Sequence, residues 1–514
     1  MSKVISKIFT YNTKHKRGND MVNDLIFCSP EEAGISSARI SKFIERLKER
    51  KTNLHSFMMV RNGKILTEAY YKPFDKDFMH RLYSSSKTYV SIAVGMLIGE
   101  GKIRLEDKLM DLLPEYANDE QHKWMKECTV EDALKMSVPM LTDTYFALDY
   151  KEWAWTFFNH PTRSKALKPA GTVFNYNTSG TFILDVLVEK LTGKTFLEYM
   201  RPVFDKIGVS KDIWCVKSPD GYSWGGSGVI CTLRDFAKFG ELLLNMGEYK
   251  GEQLLPRWYM EKATSKQISN ICENHFTIRH EQGYGYQIWI TKQGFALLGM
   301  GSQFAFCFPE KNFLFVCQGD TQCGTDTDGD YIYEQLVHEV YEYLQDEALP
   351  VGKEYENLQN ELKELKLNVD YGEAHKPFEK EIDGVKYELE ENEMGWKWFR
   401  FDFEGETGKL TYENKRGVKT IKFGCNSLLS GTFPETYFYD KQVETPSNRE
   451  LNSMSDLSWT EEKKILLRSY IVDTNLGSCF MTFGFKGDEV GIMMKQRGEF
   501  FFLDYAGYAG GKRA

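Results

Sequence analysis

Apolar residues dominate both halves of the run from His55 to Tyr71 (HSFMMVRNGKILTEAYY), which breaks at Arg61-Asn62-Gly63-Lys64. Asn-Gly between two β-rich runs predicts a hairpin, because both residues tolerate positive φ. Thr88 to Gly99 is apolar almost all round and predicts a buried helix. Phe182 to Leu191 predicts another, closed by Gly193. Thr232 and Asp235, followed by Phe236, Phe239 and Leu242 to Leu244, read as a capped amphipathic helix. Phe304 to Cys317 has a strand–turn–strand pattern that turns at Pro309-Glu310-Lys311-Asn312. Helical and strand patterns therefore mix from about Ile26 to Tyr343.

From Gly352 to about Asp383 the chain becomes charge-rich and poor in aromatics, with Leu358, Leu362 and Leu365 spaced for a short helix. This segment reads as a linker or docking helix. From Val385 onward the pattern is strand after strand: Trp396 to Phe403, Lys409 to Tyr412, Lys464 to Val472, Cys479 to Phe485, Val490 to Met494 and Glu499 to Tyr505. Short strands at such spacing predict an antiparallel barrel or sandwich. The expected organisation is a flexible arm over 1–25, an α/β (α+β) domain over 26–350, the linker over 351–383 and an all-β domain over 384–510. A chain of 514 residues is in any case too long for one compact core.

Composition narrows the function. The net charge is −9, from 65 basic and 74 acidic side chains mixed along the chain, which argues against nucleic acid as a partner. Lys3, Lys7, Lys14, Lys16 and Arg17 make the start basic, but no apolar stretch of secretory length follows, so a solvated arm is expected. No run approaches membrane-spanning length, and a cytoplasmic location with no membrane partner is expected. Ten cysteines lie scattered without a C-x-x-C pair, so no metal or other cofactor is expected. Asp326, Asp328 and Asp330 have the opening spacing of a calcium loop, but no glycine follows Asp330; a solvated turn is expected there.

Candidate chemistry starts at Ser84-Ser85-Ser86-Lys87, just ahead of the apolar helix. Ser84 is the only serine with lysine three residues on. In the first helical turn that spacing puts both side chains on one face. The helix N-terminus favours a developing alkoxide, and a desolvated lysine can be neutral and take the serine proton. The same four residues can also be a serine N-cap beside a solvated lysine, and the tetrad alone does not separate the two.

The surrounding sequence does. S-x-x-K is the nucleophile motif of β-lactamases and penicillin-binding proteins. Ser84 to Leu109 (SSSKTYVSIAVGMLIGEGKIRLEDKL) resembles the nucleophile helix, glycine turn and acidic segment of the serine β-lactamase-like superfamily, particularly its class C-like, esterase and aminohexanoate-oligomer hydrolase branches. Leu112 to Tyr116, Thr129 to Met136 (TVEDALKM) and Gly225 to Leu244 (GGSGVICTLRDFAKFGELLL) match later segments in the expected order, so the resemblance spans roughly 30–345. It implies a β-lactamase/transpeptidase-like fold.

The resemblance also implies the remaining site. The family's Tyr-x-Asn motif corresponds to Tyr176 in PAGTVFNYNTSG, with Thr178 where asparagine is usual. Tyr176 is then the proton relay between Ser84 and the leaving group. The Lys-Thr-Gly motif corresponds to Met300, Gly301 and Ser302 in LGMGSQF, so a cation is replaced by methionine. Loss of that charge and of the amide at Thr178 counts against penicillin-type recognition. Backbone amides of Ser84 and Gln303 are the expected oxyanion hole. Trp153 and Trp155 either wall an acyl pocket or pack in the core. The implied function is a serine hydrolase acting through an acyl-enzyme on a small ester or amide; a β-lactamase or D-amino-acid peptidase, and a non-catalytic binding module that kept the fold, are the alternatives.

Overall fold

A computed structural model describes residues 26–118, 121–140, 152–159, 167–271, 282–323, 328–367, 372–436, 450–498 and 500–514. The basic arm and Asp326 lie outside the described residues.

The first domain is built on a seven-stranded sheet. Its hairpin runs Leu54–Arg61 and Lys64–Tyr70, with Asn62 (φ 49°) and Gly63 (φ 73°) in the left-handed region that Asn-Gly favours. The hairpin pairs onward with Phe313–Gly319, then Gln303–Phe308, Gly294–Gly299 and Trp289–Thr291, all antiparallel. Every residue of Leu54–Arg61 is buried, because the sheet is covered on both faces. Phe57 and Met59 face a cluster with Ile40, Phe43 and Ile44 of the helix Ser37–Glu49 and with Leu336 of the helix Asp328–Glu339. Met58 and Val60 belong to the opposite cluster, with Phe236 and Phe239 of the helix Leu233–Leu244. That helix is capped by Thr232, whose hydroxyl accepts from the Asp235 amide at 3.2 Å. Beyond it lies a helical lobe in which the Ser86–Gly99 and Thr178–Thr192 helices pack together.

Asp328 and Asp330 correct the expectation of a solvated turn: both are buried at the start of a helix. Asp328 is ion-paired with Arg50 at 2.8 Å, which offsets the cost of burying its charge. The helix Lys353–Glu364 lies against Ser37–Glu49 and buries Leu358 in the same cluster. The chain after it pairs with Lys72 through the Leu367 amide, so the connecting segment is fastened to the first domain.

The second domain is a closed barrel of nine strands: Gly417–Cys425, Thr407–Asn414, Trp398–Glu404, Lys386–Leu389, Gly507–Arg513, Glu489–Gly498, Gly477–Lys486, Lys464–Ile471 and Leu451–Glu461. The ring closes by parallel pairing of Gly424 and Cys425 with Asp456 and Leu457. Its last strand runs to Arg513, past the expected boundary at 510. Alternate residues such as Phe399, Phe401, Leu410, Tyr412, Leu467 and Phe483 fill the interior. The stretch from Glu499 to Tyr505, expected as a strand, is a 3₁₀ helix over Phe500–Tyr505. Phe502 and Tyr505, three apart, both turn inward onto Phe433, and Tyr505 hydrogen-bonds Tyr412 and Glu435. A three-residue repeat suits 3₁₀ geometry and not a strand. Among the described residues no helix is long and apolar enough to cross a membrane.

Candidate active site

The short strand Met79–Arg81 pairs with Val229–Thr232 and delivers the chain to a 3₁₀ turn, Tyr83–Ser85, which runs into the helix Ser86–Gly99. Tyr83 holds φ at 47°, a sparsely populated conformation for a residue with a side chain. Side chains on this turn fasten it on several sides. The Ser85 hydroxyl donates to the Gln303 carbonyl at 2.6 Å, the Ser86 hydroxyl accepts from the Val229 amide at 3.0 Å, and the Thr88 hydroxyl donates to the Gln287 carbonyl at 2.9 Å. Ser84 remains partly exposed while Ser85, Ser86 and Lys87 are buried.

Lys87 lies one turn on from Ser84. Its Nζ is 3.1 Å from Ser84 Oγ and donates to the Gly226 carbonyl at 2.6 Å. The same amine lies 5.0 Å from the centroid of the Tyr176 ring. Tyr176 is held by stacking on Trp289, with centroids 5.4 Å apart, and by an edge contact with Tyr284. Its loop ends at Asn177, whose side chain accepts from the Gly180 amide at 3.0 Å and caps the helix Thr178–Thr192.

The glycines of GGSG let these parts meet. A β-carbon on Gly225 would lie 2.3 Å from Val90 of the nucleophile helix, and one on Gly226 would lie 2.5 Å from the Thr178 methyl. Without side chains there, the 225–226 backbone comes close enough for its carbonyl to receive Lys87. Asp185 accepts from the Gly225 amide at 3.2 Å behind this strip. Its complete burial, reinforced by Glu189, raises its carboxyl well above the usual range. Burial also lowers the paired imidazoles of His55 and His80, 2.8 Å apart below the nucleophile turn; His80 falls to about 3.

The third segment is the turn between Gly294–Gly299 and Gln303–Phe308. Gly299 abuts the Leu82 carbonyl, where a β-carbon would come within 2.2 Å. Met300 is 39% exposed at the tip, so no cation stands at that position. Gly301 and Ser302 have φ of 75° and 70°, and the Ser302 hydroxyl is buried against Thr321 Oγ1 at 2.7 Å. Ser302 is thus engaged with the sheet. Gln303 is anchored by its side-chain amide to the Gly319 carbonyl at 2.7 Å, and the Ser85 bond holds its backbone beside the nucleophile turn.

Thr178 is buried at the first position of its helix with its methyl toward Gly226, behind the lysine. Trp153 is buried edge-on against Phe182 and Trp224, a core position, whereas Trp155 is 45% exposed. Sequence reasoning missed the Gly226 carbonyl as the lysine's second partner, although the GGSG run marks a place of close backbone approach. It also missed Tyr83, whose φ leaves no local trace. Among the described residues no three His, Cys, Asp or Glu side chains gather as metal ligands.

The family model described as Beta-lactamase matches residues 40–318, more than half of the chain. The 6-aminohexanoate-dimer hydrolase of Paenarthrobacter ureafaciens is 25% identical over 281 residues, covering 50% of this chain and 68% of its own. Among solved structures, the octameric penicillin-binding protein homologue from Pyrococcus abyssi aligns with a TM-score of 0.47 at 15% identity, covering 92% of this chain and 99% of that one. A penicillin-binding protein homologue from Caulobacter crescentus aligns with a TM-score of 0.48 at 16% identity over 60% of this chain and 99% of its own. The matched family span holds the nucleophile turn, the tyrosine loop and the strand that follows Met300, and on that span the chain belongs to the β-lactamase family.

Proposed function

We propose that the protein is a serine hydrolase that forms an acyl-enzyme at Ser84 from a small ester or amide. Ser84 Oγ bonds the substrate carbonyl carbon while Lys87, as the free amine, takes the hydroxyl proton. The carbonyl oxygen becomes an oxyanion facing the amides of Ser84 and Gln303. Collapse breaks the bond to the leaving alcohol or amine, which receives its proton through Tyr176. Water then attacks the acyl carbon, its proton follows the reverse path, and the acid departs with Ser84 restored.

The observation that carries this reading is the 3.1 Å approach of the buried Lys87 amine to Ser84 Oγ. A solvated lysine beside a helix cap would not be buried against a backbone carbonyl. The relative named for 6-aminohexanoate-dimer hydrolysis lends weight to an amide among the substrates. The uncharged Met300 turn counts against a carboxylate-bearing β-lactam. Incubation with a fluorophosphonate, followed by intact-mass measurement, tests the proposal. One adduct is expected on the wild type and none on Ser84→Ala; an unlabelled wild type refutes it and favours a binding module.

A further inference from the structure

The barrel reaches the nucleophile turn through the connection between its strands Lys464–Ile471 and Gly477–Lys486. Val472 leaves the barrel and joins the apolar cluster of the first domain. The Thr474 carbonyl accepts from the Arg81 amide at 3.0 Å, three residues ahead of Ser84. The Leu476 amide donates to the Tyr83 phenol oxygen at 2.8 Å, one residue ahead of it. The Leu476 side chain is buried against the other arm of the site: a β-carbon on Gly301 would lie 2.2 Å from its Cδ1. Just past the loop, the Ser478 hydroxyl donates to Asp320 at 2.7 Å.

These contacts are not spread over a general interface. They fall on the two segments that present the oxyanion amides, Tyr83 preceding Ser84 and Gly301 two residues before Gln303. The first domain already joins those arms through Ser85 and the Gln303 carbonyl. The barrel adds a second tie, on the residues whose backbones sit in the left-handed region at φ 47° and 75°. Strained residues persist where their surroundings over-determine them.

We infer that the barrel is a working part of the oxyanion hole, with Leu476 as a positioning residue that sets the spacing and aim of the Ser84 and Gln303 amides. The inference rests on the serine-hydrolase reading above. Its effect belongs to the tetrahedral state, because only there does the substrate oxygen draw fully on both donors. Loss of an oxyanion donor costs about a hundredfold or more in rate, and a donor that is misaimed should cost about tenfold.

Tyr83→Phe keeps the ring and removes the oxygen that accepts from Leu476; Leu476→Ala removes the contact with Gly301. Both are compared with wild type on p-nitrophenyl acetate and butyrate, and by equilibrium affinity for phenylboronic acid, whose tetrahedral adduct with Ser84 places an oxygen in the hole. The expected result is a fall in kcat of about tenfold with KM within threefold, and a matching loss of boronate affinity. A general packing role would lower the melting temperature without moving boronate affinity. If Leu476→Ala fails to fold, Tyr83→Phe decides. Folded Tyr83→Phe with kcat and boronate affinity within twofold of wild type overturns the inference while leaving the hydrolase reading standing. A wild type that neither turns over esters nor labels at Ser84 overturns both.

Discussion

Replacing Lys87 by methionine separates chemistry from folding. The methionine chain is of similar length and apolar, so it can occupy the same buried channel, but it cannot take a proton. Two contacts disappear: the 3.1 Å approach to Ser84 Oγ and the 2.6 Å bond to the Gly226 carbonyl. Losing the first removes the general base, a contribution of about 10² to 10⁴ in rate, or roughly 3–5 kcal/mol of barrier at about 1.4 kcal/mol per decade. Losing the second leaves a buried carbonyl unsatisfied, about 1–3 kcal/mol of stability. That penalty is offset in part because an amine no longer has to be desolvated. For a domain of this size the net change should lower the melting temperature by only a few degrees, at about 2–4 °C per kcal/mol. Stopped-flow release of p-nitrophenol from an activated ester reads the acylation step, and far-ultraviolet circular dichroism reads the fold. Acylation should slow at least a hundredfold in a protein that melts close to wild type. A folded Lys87→Met variant that acylates within about threefold of wild type would show that Lys87 is structural and that the proton goes elsewhere.

Other changes have equally definite outcomes. Gly225→Ala sets a methyl 2.3 Å from Val90 and 3.0 Å from Asp185 Oδ2 and should cost about 1–3 kcal/mol in chemical denaturation; Val90→Ala in the same chain should return part of it, and strict additivity of the two losses would refute the clash. His55 and His80 both have folded pKa values below the unfolded one, so the stability they confer is present above about pH 6.5 and is lost as the pH falls toward 3. His80→Gln should therefore flatten the urea-midpoint profile between pH 6 and 4 by up to about 1.4 kcal/mol per pH unit. Asp185 has the opposite sign: its folded pKa is raised, so its contribution is complete below about pH 4 and declines as the pH rises. Asp185→Asn should accordingly be more stable than wild type at pH 7, by about 1 kcal/mol or more, and a lower melting temperature there would contradict the buried neutral carboxyl.

What the sequence disclosed and what it withheld follow from the range of the interactions. The Asn62-Gly63 turn, the Thr232 cap and the Gly193 helix end depend on residues within a few positions of one another, and their patterns place them well. Ser84 and Lys87 are also local, being one helical turn apart. The Phe500–Tyr505 3₁₀ helix was misread as a strand because its register depends on a hydrogen bond to Tyr412, nearly a hundred residues away. Strands such as Gly417–Cys425 and Leu451–Glu461 went unnoticed because serine, threonine and charged residues interrupt their apolar alternation. The bond between Leu476 and Tyr83 spans 393 positions and has no periodic signature at either end.

The barrel's seam has a consequence of its own. Only Gly424 and Cys425, paired with Asp456 and Leu457, fasten the ring shut, whereas Gly477–Lys486 is laced to Glu489–Gly498 along its whole length. Local opening should therefore begin at this clasp, where few hydrogen bonds must break, and deuterium should enter the amides there first. The hairpin bearing Leu476 stays zipped while the clasp breathes, so the barrel can fluctuate without loosening its grip on the nucleophile turn.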